Sequence, residues 1–179
     1  MRSTKVEGII INRRNSGESD RIITVFTKTQ GKLKVKAKGV RKISSRRGAH
    51  VELLNRSVLN LYNSLGKMPI LTEAITLKSF SFKKNELKKI SAAFHVCELI
   101  DGLCPEYQTN QKVYTMLSEV LDSLEKTEDL DNLITDFERN LLINLGFISH
   151  TSNLTSDNSQ FLIEGILERR LRSKKIIWT

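Results

Sequence analysis

The 179-residue sequence has little cysteine and lacks a long apolar run, and each scarcity excludes a class of protein. Its two cysteines, Cys97 and Cys104, are too few for a disulfide framework. No apolar run approaches the length that a helix needs to cross a bilayer, and the polar start MRSTKVEG does not resemble a signal peptide. We therefore expect a cytoplasmic protein without membrane contact.

Motifs for catalysis and metal binding are missing as well. The sequence contains no Walker motif, no GxGxxG and no nucleophile elbow. The spacing of His95, Cys97 and Cys104 fits no usual zinc pattern, and Cys97 lies on an apolar helical stripe. Glu18 and Asp20 could hold a divalent ion in a nuclease, but they more simply shape a turn or pair with a neighbouring arginine. We predict no enzymatic activity, cofactor or metal.

Positive charge, in contrast, is abundant and unevenly distributed. Residues 1–80 contain 17 Lys and Arg against 5 Asp and Glu, whereas the remainder contains 12 against 15. A basic half joined to a mildly acidic half suggests two functions, of which one involves nucleic acid. Only Phe26, Tyr62 and Phe80 are aromatic in the basic half, so few bases can stack on rings. Binding should therefore depend on phosphates and on salt concentration.

The basic charge is densest in residues 31–47, GKLKVKAKGVRKISSRR. Lysines alternate with apolar residues over 32–38, which is the period of a half-buried strand with one basic face. Gly39 ends this strand and a basic loop follows. Because the segment holds no Asp or Glu, we predict an uncompensated row of cations that binds a nucleic-acid backbone. The alternative is a solvated edge strand whose lysines discourage aggregation.

Three arginines, two where the first predicted strand ends and one in the second predicted strand, extend this predicted interface. The predicted nucleic-acid-binding residues are Arg13, Arg14, Arg21, Lys32, Lys34, Lys36, Lys38, Arg41, Lys42, Arg46 and Arg47.

The fold class follows from a change in apolar period. Five segments separated by turn residues read as strands, at 6–11, 19–27, 32–38, 51–62 and 70–80. Residues 83–102, 113–124, 130–141 and 160–173 show the helical period, with Gly146 placed to cap the third helix. We predict an α+β protein in two parts, a five-stranded OB-type β-barrel over 1–80 followed by an α-helical bundle over 81–179.

Cations gather at both ends of the predicted bundle, at Lys83, Lys84, Lys88 and Lys89 and at Arg169, Arg170, Arg172, Lys174 and Lys175. The first cluster is interpreted as a solvated face, with an extended nucleic-acid surface or an acidic-peptide site as alternatives. The second complements the dipole at the end of the last helix.

Three short motifs resemble the N-terminal region of the RecO recombination mediators, in that family's order and spacing. They are GESD at 17–20, GK at 31–32 and AKGVR at 37–41. Weaker similarity continues in LL and LGF within 141–147 and in RLRS at 170–173. The resemblance therefore covers most of the chain, most strongly residues 6–41.

The resemblance implies an OB barrel followed by a helical domain, and binding of single- and double-stranded DNA. It further implies annealing of strands covered by single-strand DNA-binding protein and help in loading RecA, usually with RecR, in the bacterial cytoplasm at the nucleoid. Many relatives carry a four-cysteine zinc hairpin where residues 148–160 have no cysteine, so no structural zinc is expected. The helical half is also shorter than usual, so the resemblance does not assign a partner-binding site to it.

We therefore predict a non-enzymatic, DNA-binding recombination mediator active in DNA repair. The alternatives are an RNA-binding or RNA-annealing OB module, since phosphate contacts do not distinguish the two nucleic acids, and a metal-dependent nuclease using Glu18 and Asp20. Recruitment of partner proteins through the acidic residues of 98–138 is compatible with the predicted mediator function.

Overall fold

The computed structural model describes residues 2–82, 86–152 and 154–173, and the chain divides into two compact units. The first unit contains Met1–Phe80 and Pro105–Gln111, and the second contains Ser81–Cys104 and Lys112–Thr179. Lys83, Lys84, Lys174 and Lys175, which belong to the two predicted cation clusters, lie outside the described residues. Within the described ranges, no helix has the length and apolarity needed to cross a membrane.

Five strands of the first unit close into a barrel in the order β1-β2-β3-β5-β4. The strands are β1 (Arg2–Ser16), β2 (Asp20–Thr27), β3 (Gly31–Ala37), β4 (Asn55–Asn63) and β5 (Ile70–Ser79). Neighbours pair antiparallel, except that β3 and β5 meet in parallel where Lys36 pairs with Ile70. This confirms the predicted OB-type β part.

The barrel is filled by alternating side chains from every strand. Val6, Ile23, Val35, Leu59 and Leu71 are all buried in one core cluster. Each fully buried aliphatic side chain of this size stabilises the fold by roughly 1.5–3 kcal/mol relative to an exposed one. Because the period of a strand is two, the same alternation turns the remaining side chains of each strand outward.

Two strand boundaries differ from the predicted ones. β1 extends to Ser16, so that Arg13 and Arg14 lie within the strand and not after it. The predicted strand over 51–62 begins only at Asn55, after a short 3-10 helix at Gly48–Val51. Leu54 adopts a left-handed backbone conformation (φ +66°), which interrupts the extended chain there although the local composition is apolar.

The described part of the second unit contains four helices, α1 (Leu87–Leu103), α2 (Gln111–Leu124), α3 (Leu130–Asn144) and α4 (Ser156–Leu167). In α2 and α3 the buried apolar residues recur at helical spacing, as the period predicts. In α1, by contrast, Leu87 and Phe94 of the predicted apolar period are exposed. At the end of α3, Gly146 adopts φ +81° and donates its N–H to Ile143, while the N–H of Phe147 donates to Leu142. The predicted glycine cap is therefore confirmed as a Schellman motif.

Helix α4 begins and ends earlier than predicted. Thr155 and Asn158 form a capping box that starts the helix at Ser156. Glu168 then takes a left-handed conformation (φ +53°) and ends it. The described last turn of α4 contains no basic residue, so the predicted dipole role for Arg169 and the following arginines is wrong.

Candidate nucleic-acid interface

Strand β3 places its apolar residues in the barrel and its lysines on the other side. Leu33, Val35 and Ala37 belong to the buried core, as the alternation predicts. Lys32 is only 7% exposed, whereas the side chains of Lys34 and Lys36 retain 45% and 38% exposure. The lysines of this strand are therefore not equally available to a ligand.

The prediction that these cations are uncompensated is wrong for Lys34 and Lys36. The Nζ of Lys34 is 2.5 Å from Oε1 of Glu106, and the Nζ of Lys36 is 3.4 Å from Oδ2 of Asp20. Alternation identifies residues that share a face, but it does not reveal which distant carboxylates pair with them. Ion pairs at this exposure contribute at most about 1 kcal/mol, so a phosphate can compete with either carboxylate.

The partner of Lys34 is brought to the barrel by the segment Pro105–Gln111, which belongs to the same unit. The N–H of Tyr107 donates to the carbonyl of Lys32 at 3.0 Å. This bond places the segment beside the first half of β3, whereas Lys36 in the second half pairs with Ile70 of β5.

Gly31 makes the approach of this segment possible. Its φ is +69°, and a Cβ at this position would lie 2.1 Å from the carbonyl oxygen of Gln108. Only glycine tolerates both the left-handed backbone and the close carbonyl.

Two of the predicted arginines share one carboxylate. The guanidinium groups of Arg13 and Arg21 both donate to Glu52, the latter at 2.7 Å. Burial lowers the pKa of Arg13, and the nearby Arg21 lowers it further. These three residues therefore form an ion-pair network that joins the β1–β2 hairpin to the segment before β4.

Residues 38–47, which we call the basic loop, are held at their start by the β1–β2 turn. The N–H of Gly39 donates to Oδ1 of Asp20 at 2.8 Å, and the N–H of Arg41 donates to the carbonyl of Ser19 at 3.0 Å. Val40 is buried in the barrel core. The first residues of the loop are thus part of the barrel.

The end of the basic loop is held by one arginine. The guanidinium of Arg47 donates to the carbonyls of Leu71 at 2.9 Å and Lys38 at 3.0 Å. Arg47 therefore donates to backbone carbonyls of the barrel and the loop. We interpret it as a structural residue of the loop and not primarily as a phosphate ligand.

Of the two carboxylates considered for a metal site, Glu18 and Asp20, the second is bound to the start of the basic loop. The hydrogen bond from Gly39 lowers the pKa of Asp20, and Lys36 lowers it further. Among residues 2–82, 86–152 and 154–173, no three His, Cys, Asp or Glu side chains converge so that they could hold a metal ion. The nuclease alternative therefore finds no support in the described residues.

Five of the predicted cations are exposed, and we call them the exposed cations: Arg14, Lys38, Arg41, Lys42 and Arg46. Arg41 also donates to the carbonyl of Gly17 at 3.1 Å, which ties the basic loop to the β1–β2 turn that follows Arg14. For Arg14, Lys42 and Arg46, the described part of the chain supplies no side-chain hydrogen bond or ion pair. Unpaired cations on or beside an anchored loop are suited to phosphate groups.

Aromatic side chains contribute little to this surface. Phe26 and Phe80 are buried, and Tyr62 is half-buried. Sequence reasoning missed instead two other residues, the carboxylate of Glu106 beside Lys34 and the exposed Ile43 at the tip of the basic loop. For the isoleucine, the single apolar letter within RKISSRR at 41–47 was an available signal. For the glutamate there was none.

The second unit contains a buried polar network around His95. Its Nε2 lies 2.7 Å from Oε1 of Glu138, and its Nδ1 lies 2.8 Å from Oγ of Ser173. The same hydroxyl donates to Oε2 of Glu98 at 2.7 Å. Cys97 is buried, and burial followed by the charge of Asp101 raises its pKa to about 12, so its thiol is not a nucleophile.

Glu98 accepts hydrogen bonds from the segment that follows α4. Burial alone would raise its pKa, but hydrogen bonds from the side chains of Arg169 and Ser173 and the N–H groups of Arg172 and Ser173 bring it to about 2. The Nη1 of Arg169 is 2.6 Å from this carboxylate. Residues 169–173, directly after α4, are thus held against α1.

The described residues therefore define the class of the protein: an OB-type barrel with a basic loop, followed by a helical unit. The sequence-family model for the N terminal of recombination protein O matches residues 1–80. The family model for the C terminal of recombination protein O matches residues 84–156. The chain therefore belongs to the RecO family, which confirms the resemblance.

Individual relatives agree with the family models. The chain is 33% identical over 144 residues to the DNA repair protein RecO of Roseiflexus sp. (strain RS-1), covering 80% of this chain and 50% of that protein. It is 31% identical over 155 residues to the RecO of Acetivibrio thermocellus, covering 86% and 61%. For the RecO of Listeria monocytogenes serotype 4b (strain F2365), the values are 30% over 142 residues, 79% and 55%. The chain thus spans about half to three fifths of the length of these curated relatives.

Proposed function

We propose that this chain is a non-enzymatic mediator of recombinational DNA repair that binds single- and double-stranded DNA and anneals complementary strands. The observation that carries the proposal is the set of exposed cations on the basic loop and the adjoining β1–β2 hairpin. Membership of the RecO family supports DNA as the ligand, since the relatives bear the name DNA repair protein.

The mechanism is electrostatic. Two strands repel each other through their phosphates, and cations that neutralise both strands lower this repulsion while they release counterions. Exposed lysine and arginine on an anchored loop contact the backbone of any sequence, so sequence preference should be small.

The proposed partners follow from the family resemblance. They are DNA strands coated with single-strand DNA-binding protein, the RecR protein and, indirectly, RecA, in the bacterial cytoplasm at the nucleoid. RNA annealing is the competing function, because the 2′-hydroxyl is what distinguishes the two nucleic acids.

The first test reverses two exposed cations, Lys42→Glu with Arg46→Glu. We expect at least tenfold weaker binding of single-stranded DNA, and a plot of log affinity against log salt that is less steep by about 1 to 2. Lys5→Glu with Lys28→Glu is the matched control, because it changes the net charge equally at exposed residues outside the basic loop. Equal loss in both variants would mean that net charge, and not the basic loop, drives binding.

The second test measures annealing by energy transfer between two labelled complementary strands, bare and coated with single-strand DNA-binding protein. Annealing of both kinds that fades as salt rises supports the proposal. If only bare strands anneal, the mediator function fails although DNA binding stands. If RNA strands anneal better than DNA strands, the RNA alternative replaces it.

A further inference from the structure

Ile43 is an apolar side chain held in water at the tip of the basic loop. Its relative exposure is 107%, as in an extended peptide. The carbonyl of Lys42 accepts a hydrogen bond of 2.9 Å from the N–H of Ser45, so Ile43 occupies the first central position of this four-residue turn. The turn therefore projects the isoleucine outward.

The turn stands on a fixed base. Val40 is buried in the barrel, and the hydrogen bonds of Arg41 to Ser19 and of Arg47 to Leu71 hold both sides of the loop. Between these anchors, Lys42, Ile43, Ser44 and Arg46 are exposed and Ser45 is half-buried. The loop is thus built to present its tip, and the tip carries an isoleucine between Lys42 and the serines.

A single exposed apolar residue is common on proteins and by itself needs no explanation. Here its neighbours make it unusual, because Arg41, Lys42 and Arg46 are all exposed around it. Cations that bind phosphates would bring this side chain against the bases, and isoleucine is among the apolar residues that proteins insert between base steps. The barrel aromatics Phe26 and Phe80 are buried and do not serve this purpose.

We propose that Ile43 is a base-contacting wedge, which inserts between neighbouring bases of a strand whose phosphates the exposed cations hold. This inference rests on the proposed function and adds to it a contact with bases. Insertion separates stacked bases locally, which favours the unstacked strand that must find its complement. Because every base has an apolar face, the contact requires no particular sequence.

The test compares Ile43→Thr with Ile75→Thr. Both replace an exposed isoleucine by a β-branched residue, and Ile75, which is 63% exposed, lies on β5 opposite Val58 and outside the basic loop. The probe is a single-stranded, adenine-rich oligonucleotide carrying 2-aminopurine, whose fluorescence rises when it unstacks. We expect wild type and Ile75→Thr to raise the fluorescence, and Ile43→Thr to lose most of the rise and bind about three- to tenfold more weakly.

The salt dependence separates the wedge from the proposed function. Ile43→Thr should keep the wild-type slope of log affinity against log salt, because no cation is removed. Salt-dependent binding without a fluorescence rise in the wild type, or an equal rise in Ile43→Thr, would overturn the wedge and leave DNA binding intact. Absence of any binding by the wild type would overturn both proposals.

Discussion

Individual residues on the barrel surface differ in how far they are committed to the fold. Arg13, Arg21 and Arg47 bind carboxylate or carbonyl groups of the barrel, whereas Lys42 and Arg46 are exposed without such a partner among the described residues. The same side-chain type therefore serves structure in one place and is available to a ligand in another. A ligand phosphate gains most from cations that give up no existing bond.

Glu106 forms an ion pair with Lys34 and so partly neutralises a cation of the predicted interface. We expect Glu106→Gln to remove the negative charge that opposes phosphate binding at Lys34, and to raise the affinity for single-stranded DNA about two- to threefold at low salt, with a smaller gain at high salt. Fluorescence anisotropy with a labelled strand measures this. Glu119→Gln, an equal charge change at an exposed residue of α2, should leave the affinity near that of wild type. Equal gains in both variants would assign the effect to net charge.

Elements are positioned by a few backbone requirements, and the approach of Pro105–Gln111 to β3 depends on Gly31. Gly31→Ala and Gly66→Ala both place a side chain at a left-handed residue (φ +69° and +68°), but only the first meets a carbonyl within 4 Å. Both should share a strain of about 1–2 kcal/mol. We expect Gly31→Ala to cost about 1–3 kcal/mol more, as overpacked sites do, in urea unfolding. Equal losses would show that the segment yields to the methyl group.

The predictable elements are those whose signal is local. The alternation of β3 and the apolar period of α2 report burial directly, and the structure confirms both. The start of β4 was mispredicted because Leu54 leaves the extended conformation, and the end of α4 because Glu168 becomes left-handed. Apolar period carries no information on either event. Ion pairs between residues distant in sequence are also not visible in a local pattern. The sequence therefore identified the cations, but it could not show that Lys34 and Lys36 have carboxylate partners.

At the scale of the whole molecule, charge is divided between the two units. Basic residues dominate 1–80, and acidic residues outnumber basic ones in 81–179. A polyanion is thus attracted to the part that carries the basic loop and not to the chain as a whole. Within the helical unit, by contrast, some charges have internal partners, as Glu98, Glu138 and Arg169 do.

This internal use of charge makes the stability of the helical unit sensitive to acid. The pKa of Glu98 falls from an ordinary 4.5 to about 2 on folding, so the unfolded chain binds a proton more readily than the folded one. The stabilisation from its ionised form is complete above about pH 4.5 and is lost as the pH falls toward 2. Glu98→Gln should therefore be less stable than wild type by about 2 kcal/mol at pH 7, because donors of Arg169 and Ser173 lose a charged acceptor.

The difference between Glu98→Gln and wild type should shrink as the pH decreases through this window. Urea unfolding followed by far-ultraviolet circular dichroism at pH 7, 5 and 3 measures it, with Glu119→Gln as the control whose difference from wild type stays small throughout. A gap for Glu98→Gln that is as large at pH 3 as at pH 7 would contradict the argument. It would mean that the geometry of the side chain, and not its charge, holds the chain after α4 against α1.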